Sequence, residues 1–354
     1  MPRRIVILAE GKFSPLESKT ANQAIRYLTG EVIGVIDSRQ AGRTAEQVLG
    51  FGGNIPVFSD LRASLIAEPN TLVIGIAPTG GQLPDSWRPI VREAIEDKID
   101  VIGGLHTLLS EDSELAPLAR RNGVQLIDLR NTPPEYNVIA KGSWQTRMAK
   151  TILTVGTDCN VGKMTAALEL HREFVRRGRK SDFVATGQTG ILIAGKGIAV
   201  DHLISDFVAG AIELEVDKSA AAGHEYIFVE GQGALQHPGY SAVTLGLMHG
   251  VMADAMILVH HPVRHTNDYG IPITDVKASI QLHEGFFKPF SFPSKVAGIA
   301  INTVMMTNQQ IATAIRDLER DTNLPTADVL TIEGVKKLAM ALEEYFTTFR
   351  RFED

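Results

Sequence analysis

The chain alternates short apolar runs with amphipathic stretches. Arg4–Ala9 (RIVILA), Val32–Asp37, Thr71–Ile76, Val101–Ile102 and Val124–Asp128 read as strands. Between them, Ser18–Leu28, Thr44–Leu49, Trp87–Asp97 and Ser113–Arg121 carry apolar positions at helical spacing. Strands that are apolar throughout are buried on both faces. Their alternation with helices predicts a parallel sheet covered on two sides, a Rossmann-like domain over residues 1–130.

Asn131-Thr132-Pro133-Pro134 interrupts this pattern, because two prolines block a helix and favour extended chain. Residues 131–150 read as a linker that packs between domains. Residues 151–354 then start afresh, with strands at Ile152–Val155, Phe183–Thr186, Tyr226–Glu230, Ala255–Val259 and Val296–Ile301. The expected fold class is α/β, a Rossmann-like parallel-sheet domain followed by a P-loop NTPase-like parallel α/β domain. No repeat of 20–50 residues and no low-complexity segment is evident.

Composition narrows the function classes. The 354 residues suffice for two domains, since one core rarely grows beyond roughly 250–300 residues. Net charge is −6, with Lys and Arg scattered, so nothing marks a nucleic-acid or anionic-membrane surface. No apolar run approaches the roughly 20 residues that span a bilayer. The opening MPRRIVILAEGKF reads as a first strand and not as a signal peptide. The one cysteine, Cys159, excludes an intrachain disulfide and suits a reducing cytosol. The expectation is a cytoplasmic protein whose partner is a small molecule. Assembly into a homo-oligomer stays open.

The chemistry concentrates in TILTVGTDCNVGKMTAALEL, Thr151–Leu170. An apolar strand enters a glycine-containing turn, reaches Gly162-Lys163, and continues as a helix. That is a phosphate-binding loop, in which backbone N–H groups, a helix N-terminus and a lysine converge on phosphate oxygens. Gly156, Thr157, Asp158, Asn160, Val161, Gly162, Lys163, Met164 and Thr165 are the expected cofactor-binding residues. Ala167, Leu168, Phe174 and Val175 lie at core spacing and would anchor the helix. The strict nucleotide-hydrolysis pattern fails twice. Five residues separate Gly156 from Gly162 instead of four, and Met164 stands where a magnesium-binding Ser or Thr follows the lysine.

GTDCNVGKMT is similar to the loop of dethiobiotin synthetase, an ATP-dependent carboxylating ligase with the same five-residue spacing but a Thr after its lysine. FVATGQTG, FVEGQGAL and GIAINT resemble further segments of that architecture, and the resemblance implies that Asn302 reads a base. Together with the Rossmann-like first domain, GTDCNVGKMT, TGQTG and VEGQGAL resemble, over nearly the whole chain, a bacterial and archaeal family long described only as a domain of unknown function. Members of it are linked to D-glutamate N-acetylation with acetyl-coenzyme A. The resemblance implies acetyl-CoA as cofactor and an acidic amino acid as substrate.

Met164 agrees with that implication. A thioether does not serve a hard cation that prefers oxygen, and acyl transfer from coenzyme A consumes no phosphate bond. The alternative is ATP with Mg²⁺ held by Asp158 or Glu230 in a kinase or ligase. A third reading is a non-catalytic nucleotide or CoA sensor. Glu230 ends a strand and is a candidate base, with hydrogen bonding to loop backbone as its competing role. His237 and His265 are further catalytic candidates. Arg264 can take a carboxylate in bidentate fashion. With Gln188, Thr189 and Gln232 it makes the expected substrate set. Gly187–Gly190 read as a polar turn able to offer N–H donors to a developing oxyanion. No metal site is expected, because Pro262 and the lack of a nearby cysteine oppose zinc at His260, His261 and His265. Cys159 reads as a space-filler. In the first domain, Asp37 ends a strand where dinucleotide folds place a ribose-binding acid, but AEGKFSPLESKT lacks the glycine fingerprint.

Overall fold

The continuous apolar runs become parallel strands. A computed structural model describes residues 2–351. In it, β1 (Ile5–Leu8), β2 (Val32–Ile36), β3 (Val57–Phe58), β4 (Thr71–Ile74), β5 (Asp100–Gly103) and β6 (Leu126–Asp128) pair in the order β3-β2-β1-β4-β5-β6. All these pairings are parallel, and the order is that of doubly wound dinucleotide-binding sheets. Every residue of β1 and β4 is buried, as sheets covered on both faces require. This first unit comprises the chain up to Asn131 together with Ile191–Gly195. Asp37 is buried here, but its carboxylate accepts from the backbone N–H groups of Phe13, Arg39 and Gln40. It holds its own loop, and a ribose would have to displace those bonds.

The second unit comprises Thr132–Gly190 and the chain from Lys196 onward. Its strands are β7 (Lys150–Gly156), β8 (Ser181–Val184), β9 (Tyr226–Val229), β10 (Ala255–His260), β11 (Lys295–Ile301) and β12 (Thr326–Ala327), in the order β12-β11-β10-β7-β9-β8. From β7 the chain fills one side with β8 and β9, then the other with β10, β11 and β12. The reversal falls beside β7, and in open parallel sheets ligands bind beyond the strand C-termini at such a point. The loop after β7 therefore occupies the expected crevice.

Residues 132–149 pack on this second unit. Tyr136 and Ala149 join its core, Glu213 accepts from the N–H groups of Lys141 and Ser143, and Arg147 pairs with Asp217 at 2.9 Å. The helix after the loop, Lys163–Arg176, buries Ala167, Leu168 and Phe174. Val175 is 51% exposed, against its expected place in the core. It follows Phe174 by one residue, a rotation of about 100°, which carries it off the buried face. Gly187–Gly190 is also not a simple turn, because a helix, Gln188–Ala194, starts within it.

Gly231, just after β9, lies so close to β7 that a Cβ would stand 1.7 Å from the Thr154 carbonyl oxygen. Its N–H donates to Thr154 Oγ1 at 3.0 Å. The clash is with backbone in the central strand, so Gly231→Ala should destabilise the protein by about 3 kcal/mol. At Gly285, inside helix Val276–Phe287, nothing lies within 4 Å of a Cβ, and alanine there should add about 0.5–1 kcal/mol. Denaturant titration of the two variants checks both signs.

Candidate active site

The loop is built around one buried cation. β7 ends at Gly156, and helix Lys163–Arg176 starts after Gly162. Gly162 has φ +109°, a conformation only glycine adopts without strain, and Asn160 is also left-handed at φ 54°. Val161 is fully buried against the loop. Lys163 is buried too, and its Nζ donates to the Asp158 carbonyl oxygen at 2.7 Å. A Cβ at Gly156 would stand 3.1 Å from that Nζ, so the side chain arches back over the loop. An ammonium at a helix N-terminus sits in an unfavourable field, since both are positive. The arrangement is suited to an anion such as a phosphate, which relieves the clash. Met164 is buried in the core and presents no oxygen to the loop, while Thr165 is half-buried.

One flank of the loop, beyond β9 and β8, is closed by internal bonds. Glu230 Oε2 accepts from the N–H groups of Thr186 and Gly187 at 3.0 and 3.3 Å. Its Oε1 accepts from Gln232 Nε2 at 3.1 Å. Thr186 Oγ1 donates back to the Glu230 carbonyl. Gly187 N–H is thus already engaged, Gln232 supports the carboxylate, and Gln188 and Thr189 are buried at the start of the following helix. This flank matches the loop-holding role of Glu230 better than a base with a free lone pair.

The other flank, beyond β10 and β11, is more open. Thr157 Oγ1 and His260 Nδ1 lie 2.9 Å apart. Asn302 Nδ2 lies 3.8 Å from the position of a Cβ on Gly162, at the head of the helix. Arg264 uses Nη1 for both of its loop contacts, to the Cys159 carbonyl oxygen at 2.7 Å and Asp158 Oδ2 at 3.2 Å. That leaves the Nε–Nη2 edge for a bidentate carboxylate. Arg264 also lines a cleft of about 350 Å³ with His265, Lys277 and two carboxylates, Asp275 and Asp321.

His237 stands in a third cluster that the sequence did not reveal. It is buried, its Nε2 meets Asp268 Oδ1 at 2.6 Å, and its Nδ1 accepts from the Gly239 N–H at 3.1 Å. Tyr240 and Tyr269 pack on the imidazole at 4.7 and 5.1 Å. Asp268 and Tyr269 lie more than 30 residues from His237 in sequence, and no local pattern links them. Only the fold pairs them.

Residues 138–339 match the P-loop domain DUF1611_C, and residues 38–132 match the Rossmann-like domain DUF1611_N, both described as domains of unknown function. The chain belongs to the DUF1611 family. It is 34% identical to a family protein from Anabaena variabilis whose crystal structure superposes with a TM-score of 0.91, over 97% of this chain and 99% of that one. A protein of Tritonibacter scottomollicae named D-glutamate N-acetyltransferase is 38% identical over 284 residues, 79% of this chain and 83% of the relative. One of Pseudoalteromonas with the same name is 36% identical over 275 residues, 77% of this chain and 81% of the relative. Relatives of this family thus carry an N-acetyltransferase name. Among the described residues, no helix is long and apolar enough to cross a membrane.

Burial keeps several histidines of the second unit neutral. It pushes His260 down to about 4, helped by the neighbouring His261 and His265. Burial likewise takes His171 and His283 to about 4. In the unfolded chain these groups titrate near 6.5. Between the two values the unfolded state binds more protons, so the stability they contribute is full above about pH 6.5 and is lost as pH falls towards 4. The melting temperature should therefore drop steeply across that window. A flat profile from pH 6.5 to 4.5 would contradict the assignment.

Proposed function

We propose that the protein is an acetyl-CoA-dependent N-acetyltransferase acting on an acidic amino acid, D-glutamate in the first instance. The observation that carries the reading is the D-glutamate N-acetyltransferase name of two relatives that each align with over three quarters of the chain. The loop supports it. A buried lysine at a helix N-terminus suits the phosphates of coenzyme A, and the buried thioether of Met164 removes the hydroxyl that hydrolytic loops give to Mg²⁺.

In this scheme Gly162, Lys163 and the helix N-terminus hold the phosphates, and Asn302 faces the nucleotide end. Arg264 takes a substrate carboxylate on its uncommitted edge. His265, exposed and lining the same cleft, is assigned as the base. It removes a proton from the substrate ammonium. The amine nitrogen then attacks the thioester carbonyl carbon, the C–S bond breaks, and coenzyme A leaves as a thiolate that takes up the second proton lost by the nitrogen as it becomes an amide. Glu230 holds the Thr186–Gly187 loop.

Release of free thiol from acetyl-CoA should depend on D-glutamate and proceed without added Mg²⁺. His265→Asn should lower kcat by about 10²-fold or more and flatten the acid limb of its pH profile. Lys163→Ala should act mainly on the KM for acetyl-CoA. Magnesium-dependent ATP turnover with no thiol release from any acidic amino acid would sink the reading.

A further inference from the structure

Among the described residues one group of metal-ligating side chains comes together, Asp158, Cys159 and His237. A carboxylate oxygen, the thiol sulfur and an imidazole nitrogen lie within 4.8 Å of one another. Two of the three belong to the phosphate loop itself. The third reaches it from the segment after β9. We propose that this cluster is a binding site for a zinc-class divalent cation, seated on the rim of the loop.

The donor set selects the ion class. One thiolate, one imidazole and one carboxylate suit zinc and disfavour magnesium, which wants oxygen. Two anionic ligands balance a divalent charge beside the cations Lys163 and Arg264. A tetrahedral ion with bonds of about 2.0–2.3 Å needs its ligands about 3.5 Å apart. The ligand atoms lie within 4.8 Å, so an ion would have to draw them together by up to about 1 Å. Three protein ligands leave a fourth position, the mark of sites that take an exogenous oxygen. That position would admit a phosphate or carboxylate oxygen.

The surroundings of His237 fit a ligand. Metal-bound imidazoles commonly donate their second N–H to a carboxylate, which fixes ring and tautomer. Here Nε2 meets Asp268 at 2.6 Å, and Nδ1 accepts from the Gly239 N–H, so Nδ1 carries the lone pair. Coordination through Nδ1 would replace the 3.1 Å bond from Gly239. Arg264 touches Asp158 only through Oδ2, at a loose 3.2 Å. The loop thus lacks the hydroxyl that binds a hard cation after its lysine, and carries a softer donor set at its tip. This site is independent of acetyl-CoA, and its test does not require turnover.

Chelator-treated full-length protein is titrated with Co²⁺ and followed by absorbance. About one equivalent should bind, with visible bands of tetrahedral intensity and a near-ultraviolet thiolate-to-cobalt band. Cys159 is the chain's one cysteine, so that band in the parent protein already identifies the ligand, whether or not a variant folds. Cys159→Ser should lose the band. Asp268→Asn should weaken binding by about 10–100-fold while keeping the band. Zn²⁺ should displace Co²⁺ and raise the melting temperature of the parent. Absence of a thiolate band at saturating Co²⁺, or Co²⁺ bands unchanged in Cys159→Ser, overturns the site.

Discussion

The second unit depends on one electrostatic constraint, the buried ammonium of Lys163 at the head of a helix. Burial and the helix field both disfavour that charge. The chain holds it there by the Asp158 carbonyl and by the glycines at 156 and 231, which clear its path. An anion resolves the conflict. The flanking segments converge on the place such an anion would occupy because β7 is the strand at which the sheet reverses its direction of growth.

The two flanks divide the work. Beyond β8 and β9, Glu230, Thr186, Gly187 and Gln232 satisfy one another and make a stiff wall. Beyond β10, Arg264 spans from the loop to an open cleft lined by His265, Lys277, Asp275 and Asp321. One flank is thus a hydrogen-bonded wall, and the other is a cleft in which Arg264 and Lys277 stand with Asp275 and Asp321.

Much of the fold was legible because its signals are local. Central strands such as β1, β4, β7 and β10 are mostly apolar, and each stands within a residue or two of its expected bounds. The edge strands Val57–Phe58 and Thr326–Ala327 escaped, since two residues carry no periodicity. Val175 was misplaced by a single rotation of the helix. The loop itself was readable from Gly162 and Lys163. The partners of its residues were not. Glu230 looks catalytic at a strand end until Thr186 and Gly187, more than 40 residues away, are found donating to it. His237 gains Asp268 and Cys159 only through folding, and Cys159 looked inert for want of any neighbour in sequence.

The central claim is that the loop is a phosphate cradle for an acyl-coenzyme A that needs no magnesium. Calorimetric titration of the purified protein in magnesium-free buffer tests it most directly. The account predicts that acetyl-CoA binds, that added Mg²⁺ leaves its affinity unchanged, and that Lys163→Ala weakens binding in line with its effect on KM. Binding of ATP that appears only with Mg²⁺, with none of acetyl-CoA under either condition, would contradict it.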